Sequence, residues 1–168
     1  MTVRAQGEHR LFRVNPGTRA DFQRLTLTGG KVTGFFPEGY GGALYIEGSL
    51  TLTECTLTGN SAYAGGAAFV VASFESNLEL QRCTVSGNTA SIGGGIQSEG
   101  RMSITSSTLT QNSATEVGGA ISSPSTVLTL IHSTLSGIWI CAVMRAACCS
   151  GRNSYSRIIA GTTAPADP

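Results

Sequence analysis

The sequence predicts an all-β fold, a right-handed parallel β-helix: a solenoid of about five coils with three short strands per coil. Three observations carry that expectation. Five segments superimpose when aligned one above another, each segment alternates apolar and polar residues with a period of two, and a pair of glycines recurs once per segment. Composition agrees. Glycine accounts for 22 of 168 residues, and Ser and Thr are abundant, which suits many short strands joined by tight turns.

The aligned segments are ADFQRLTLTGGKV from Ala20, LTLTECTLTGNSA from Leu50, LELQRCTVSGNTA from Leu78, MSITSSTLTQNSA from Met102 and LTLIHSTLSG from Leu128. Their first residues are 30, 28, 24 and 26 positions apart by subtraction. Starting the first segment at Leu25 would give a tidier interval, but Ala20 brings Leu27, Thr28 and Gly29 under Leu57, Thr58 and Gly59.

In the first strand of each segment the inward pairs are Ala20/Phe22, Leu50/Leu52, Leu78/Leu80, Met102/Ile104 and Leu128/Leu130. The second strand places Leu25/Leu27, Cys55/Leu57, Cys83/Val85, Ser107/Leu109 and Ser133/Leu135 inward. A third strand follows the glycine pairs Gly41-Gly42, Gly65-Gly66, Gly93-Gly94 and Gly118-Gly119, with Leu44, Ala68, Ile96 and Ile121 facing in. These glycines mark turns that need a positive φ or a close backbone approach. One coil alone leaves both backbone edges unpaired, so the next coil must stack about 4.8 Å above it, like residue upon like. A phosphate-loop or dinucleotide reading of Gly93, Gly94 and Gly95 fails, because the glycines recur in every coil and no helix follows.

The strings GGAL, GGAI and GGGI, alternating with LTGN, VSGN and LTQN, resemble the repeats of polymorphic outer-membrane proteins and the β-helical repeats of secreted bacterial proteins of the pectin-lyase-like superfamily. The resemblance runs from about Thr18 to Gly137, and Thr2 to Val14 resembles a preceding coil with Phe12 and Val14 as its inward pair. Leu57, Val85 and Leu109 stand where the repeat has phenylalanine. It implies an adhesin-like, non-catalytic scaffold on a cell surface or outside the cell, meeting a host surface or a glycan. Such motifs specify the fold rather than its chemistry.

Three regions are expected: 1–137 as repeats, 138–156 as a degenerate or aberrant coil, and 157–168 as a partial coil and tail. After Gly137 the expected Asn-Ser-Ala gives way to Ile138, Trp139 and Ile140, and Cys141, Cys148 and Cys149 follow. Gly161 nevertheless lies 24 residues beyond Gly137, one coil length. A capping coil or a compensated frameshift would each produce this. Met1 opens inside a coil, so the chain reads as a fragment whose uncapped ends could associate end to end.

Net charge is +1 with 12% charged residues, which marks no nucleic-acid partner. No apolar run spans a membrane, the longest being Ile138 to Met144, and no signal peptide precedes the repeats. No cofactor and no metal are expected. Asn60, Asn88 and Asn112 share one turn position, where stacked amides can donate to one neighbour and accept from the other; with Gly42, Gly66, Gly94 and Gly119 they are expected to be structural.

Glu47, Glu75 and Glu99 each lie three residues before a first strand. If the loops keep that register, their carboxylates climb one corner about 5 Å apart, a spacing suited to sugar cleavage or Ca²⁺. This supports an alternative reading, a carbohydrate-binding or polysaccharide-cleaving β-helix. Another alternative is ice binding through Thr26, Thr56, Thr84, Thr108 and Thr134 with Thr28, Thr58, Ser86, Thr110 and Ser136 two residues on, as in β-helical antifreeze proteins.

The clustered aspartates of β-helical pectate lyases and polygalacturonases have no counterpart in Asp21 and Asp167, and His9 and His132 stand without partners. Cys55 and Cys83 share an inward position, as stacked thiols or as an awkward disulfide. Recognition is expected on the loops Phe35 to Tyr40, with Phe36 and Pro37, and Phe69 to Phe74, whose aromatics read as exposed.

Overall fold

The computed structural model describes residues 1–124, 128–136 and 140–142. The described residues are all-β, without a helix, and their parallel strands stack as a solenoid of about five turns. Sheet I holds β3 (Arg19–Gln23), β6 (Ser49–Thr53), β9 (Asn77–Gln81), β13 (Arg101–Thr105) and β17 (Leu128–Ile131). Sheet II holds β1 (Thr2–Arg4), β4 (Thr26–Thr28), β7 (Thr56–Thr58), β10 (Thr84–Ser86), β14 (Thr108–Thr110) and β18 (Thr134–Ser136). Sheet III holds β2 (Phe12–Val14), β5 (Leu44–Ile46), β8 (Ala68–Val70), β12 (Ile96–Ser98), β16 (Ile121–Ser123) and β19 (Ile140–Ala142). Of the three regions expected, the last, 157–168, and most of the second lie outside the described residues.

Register follows the sequence alignment. Leu27, Leu57, Val85, Leu109 and Leu135 form one column of sheet II, and Val3 adds a sixth member below them. In sheet I, Ala20, Leu50, Leu78, Met102 and Leu128 pair in turn, so Ala20 rather than Leu25 begins the first repeat. Phe12, Leu44, Ala68, Ile96 and Ile121 do the same in sheet III. The three columns meet in one core in which Leu27, Leu50, Leu57, Val85, Ile96 and Leu109 are wholly buried. Each such side chain contributes about 1.5–3 kcal/mol by leaving water.

The glycine pair divides its labour. Gly41, Gly65, Gly93 and Gly118 have φ between 60° and 68°, a left-handed turn into sheet III. Gly66 has no such angle, but a Cβ there would stand 2.1 Å from the carbonyl oxygen of Gly94 in the next coil; Gly42 meets Gly66 in the same way, and Gly94 meets Gly119. One glycine turns the chain, and the other lets the coils close on each other. The corner between sheets I and II turns instead on non-glycine residues, with Arg24, Glu54, Arg82, Ser106 and His132 all near φ 50°. His132 therefore sits at a corner, as one of a stack of turn residues.

Between sheets II and III the chain adds a feature absent from the three-strand expectation. β11 (Thr89–Ile92) pairs with β15 (Ser113–Val117), and single bridges extend this rank through Ser61 to Lys31 and through Ala64 to Tyr40. Unequal coil lengths also find their place. The 30-residue interval carries the segment 31–40, and the 28-residue interval carries the loop 71–76, both outside the core.

Candidate functional site

The outward column of sheet III runs Arg13, Tyr45, Phe69, Gln97 and Ser122. Alternation alone would put these residues in water. Instead Tyr45 and Phe69 are each 1% exposed, because the segment 31–40 and the rank containing Tyr63 fold over them. Phe69 and, in part, Tyr40 are thus covered, contrary to the expectation of exposed aromatics along both loops. The chain spends these rings on a second apolar cluster, because leaving them in water would forfeit their burial energy.

Over that floor runs a ribbon of four rings. Phe35 lies 6.0 Å from Tyr63 edge-on, Tyr63 stacks on Tyr40 at 5.7 Å, and Tyr40 meets Phe36 at 5.3 Å. Tyr40 also packs on Phe69 at 4.8 Å, which anchors the ribbon to the sheet. Phe35 and Phe36 stay 80% and 57% exposed, and Phe74 at the tip of the other loop 97%. Burial raises the pKa of Tyr40 and Tyr45, with Tyr63 and Glu47 respectively adding to the effect.

Charges at the rim are already engaged. The Arg10 guanidinium lies over the Tyr45 ring and donates to the carbonyls of Pro37 and Glu38, tying the aromatic loop down. Burial lowers its pKa. Arg13 Nε donates to Glu47 Oε2 at 2.7 Å, and this bond raises the arginine pKa. Gln97, 6% exposed beside Phe69, is different: its Oε1 is buried with no hydrogen-bond donor.

The acidic corner does not form as expected. The Glu99 N–H donates to Val70 and the Val71 N–H to Ile46, so Val71 holds the layer between Glu47 and Glu99. Glu75 lies in the longer loop 71–76, where its carboxylate accepts from the Gly17 N–H at 2.9 Å. Loop length, invisible to counting back from the next strand, is the reason. Among the described residues no group of three His, Cys, Asp or Glu could hold a metal ion.

The asparagines stack. Asn60 Nδ2 donates to Asn88 Oδ1, and Asn88 Nδ2 to Asn112 Oδ1, each at 2.9 Å, while the same amides donate to the carbonyls of Leu27 and Leu57. All three are buried. Cys55 and Cys83 are free buried thiols: the Cys55 N–H donates to Cys83 Sγ, as the Cys83 N–H does to Ser107 Oγ and the Ser107 N–H to Ser133 Oγ. Threonines of sheet II align in the expected ranks. Asp21 is exposed on the outer face of β3. Cys148, Cys149 and Asp167 lie outside the described residues, as does the side chain of Cys141.

The sequence showed the aromatic loops but neither the floor beneath them nor Gln97. The outward position in each third strand (Tyr45, Phe69, Gln97) was the available signal, since three bulky residues there are unusual for a solvated face.

No curated protein and no solved structure shows a significant match to the chain. A family model does match: the Chlamydia polymorphic membrane protein repeat, over residues 106–124. That stretch holds β14, the asparagine turn at Asn112, β15, the pair Gly118-Gly119 and β16, which is most of one coil. The chain is therefore a parallel β-solenoid with repeats like those of the polymorphic membrane proteins.

Proposed function

We propose that this chain is a segment of a surface-displayed, adhesin-like scaffold, in which the solenoid is a rigid rod and the loops outside sheet III meet a partner. The carrying observation is the ring ribbon: an apolar patch with Phe35 and Phe36 left in water is costly unless something covers it. The repeat match supports a cell-surface or outer-membrane setting. Among the described residues no helix is long and apolar enough to cross a membrane.

The test uses beads coated with the chain and applied to a host-cell monolayer. Retention above that of beads coated with an unrelated β-solenoid, reduced at least five-fold by the double substitution Phe35→Ser and Phe36→Ser, is the expected result. Equal retention of coated and control beads would overturn the reading.

A further inference from the structure

We infer that the sheet III side of the rod, centred on Phe35 and Phe36, docks a basic protein, one whose contact region is apolar and bordered by Lys or Arg side chains. This rests on the adhesin-like reading and names the partner class of the same surface.

The apolar part of the surface is a preformed knob. Phe35 and Phe36 are 80% and 57% exposed, yet the turn that carries them is fixed. The Gly39 N–H donates to the Phe35 carbonyl at 2.8 Å, Arg10 holds the carbonyls of Pro37 and Glu38, and Phe36 packs edge-on against Tyr40. Rings already held in place lose little freedom when a partner covers them, and such anchors carry most of the energy of an interface.

Charge is divided across the rod. The residues that lead into, form and leave sheet III (5–18, 31–48, 61–76, 89–100 and 113–124) carry the carboxylates Glu8, Glu38, Glu47, Glu75, Glu99 and Glu116 against three cations, Arg10, Arg13 and Lys31. The other described residues reverse the balance, with five arginines against Asp21, Glu54 and Glu79. All three cations of the sheet III side belong to the first two coils, and Arg13 and Lys31 are paired with Glu47 and Glu8. Arg10 keeps its charge, but Glu38, Glu99 and Glu116 have no ion-pair partner among the described residues. The field of Glu99 reaches the rings: burial, with Glu99 adding to it, raises the pKa of Tyr40 and Tyr45.

An exposed apolar knob within an excess of negative charge selects a cationic border and repels phosphate, sulfate and uronate polymers. A second copy of the chain would offer cations on its opposite side but no apolar seat. Among the described residues, the large apolar side chains exposed there are Met1 and Ile131, at opposite ends of the rod.

Fluorescence anisotropy with three synthetic amphipathic helices tests this: one of leucine and lysine, its copy with glutamate for lysine, and its copy with serine for leucine. The leucine–lysine helix should bind at least ten-fold tighter than either copy, and more weakly as NaCl rises from about 0.05 to 0.5 M. Its affinity should fall at least ten-fold in the double substitution Phe35→Ser and Phe36→Ser, and at least three-fold in Glu99→Gln. It should stay unchanged in Glu79→Gln, on the outer face of sheet I. Circular dichroism melting curves identify any variant that fails to fold, and Phe35→Ser alone and Glu38→Gln then replace the first two. Equal binding of the lysine and glutamate helices, affinity indifferent to Phe35 and Phe36 or to Glu99, or tighter binding of heparin or phosphatidylcholine vesicles would each overturn the inference. Bead retention without preference for the leucine–lysine helix would leave the adhesin-like reading standing and this one refuted.

Discussion

Asn88 shows how one residue type can be required by the stack rather than by its own coil. Its amide accepts from the main chain and side chain of Asn60 and donates to Leu57 and Asn112, all in a dry turn. Removing it strands several partners at once. Asn88→Ala should cost about 3 kcal/mol, which for a chain of this size is a melting point lower by roughly 10 °C. A loss below about 0.5 kcal/mol in urea titration would show that water replaces the ladder. Cys83 sits in a more forgiving column, since Ser107 and Ser133 make the same contact one and two coils on. Cys83→Ser should therefore stay within about 1 kcal/mol of the parent at pH 7. Burial pushes the Cys83 thiol up, so the folded chain holds that proton more tightly than the unfolded chain. Stability from this group is complete below the unfolded thiol range, about pH 8.5, and declines as pH rises above it. Urea midpoints between pH 7.5 and 9.5 should fall less steeply in Cys83→Ser; parallel slopes would deny the thiol that role.

At the scale of a turn, two glycines at different corners of the solenoid respond to different constraints. Gly87 has φ 64°, with its nearest prospective contact 3.8 Å away, and Gln111 occupies the equivalent position one coil on at φ 55°. A side chain is thus tolerated there at the cost of a left-handed backbone, about 1 kcal/mol. Gly66 has room for no atom at all against Gly94. Gly66→Ala should lower the melting point far more than Gly87→Gln, and the reverse order would contradict the close approach of the two coils. The ordering was partly legible beforehand, because glutamine replaces glycine in LTQN while the glycine pair recurs from Gly41 to Gly119 without substitution. Which member of the pair turns and which one packs was not legible, since that depends on the carbonyl of another coil. Loop length hid the fate of Glu75 in the same way. Counting residues locates a side chain only where the intervening backbone is regular, and loop 71–76 is not.

Across the molecule, each coil contacts its neighbours and little else, so stability should be close to a sum over coils and the interfaces between them. Deleting Thr56 to Cys83, 28 residues by subtraction, joins Cys55 to Thr84 and removes one complete coil without changing any strand register. The shortened chain should keep its β-rich circular dichroism spectrum and melt cooperatively at a lower temperature. A random-coil spectrum would mean that the coils are not interchangeable units. The deletion also removes Tyr63 and Phe69 while leaving Phe35 and Phe36, so the ring ribbon should fail although the rod persists. Rod and surface are separable properties of this chain.

Stacking register was determined by the sequence alone, because in a solenoid an alignment of repeats is also a map of contacts: Leu57 lies over Leu27 and under Val85 as they do on paper. Periodic burial of like residues in short strands carries that information locally. The outer face of sheet III was decided only in three dimensions. Tyr45 and Phe69 alternate outward like any solvated residue, and they are buried because irregular segments from two different coils fold back over them. Segment 31–40 obeys no period, so its packing over them depends on shape and area, which a repeat pattern does not encode.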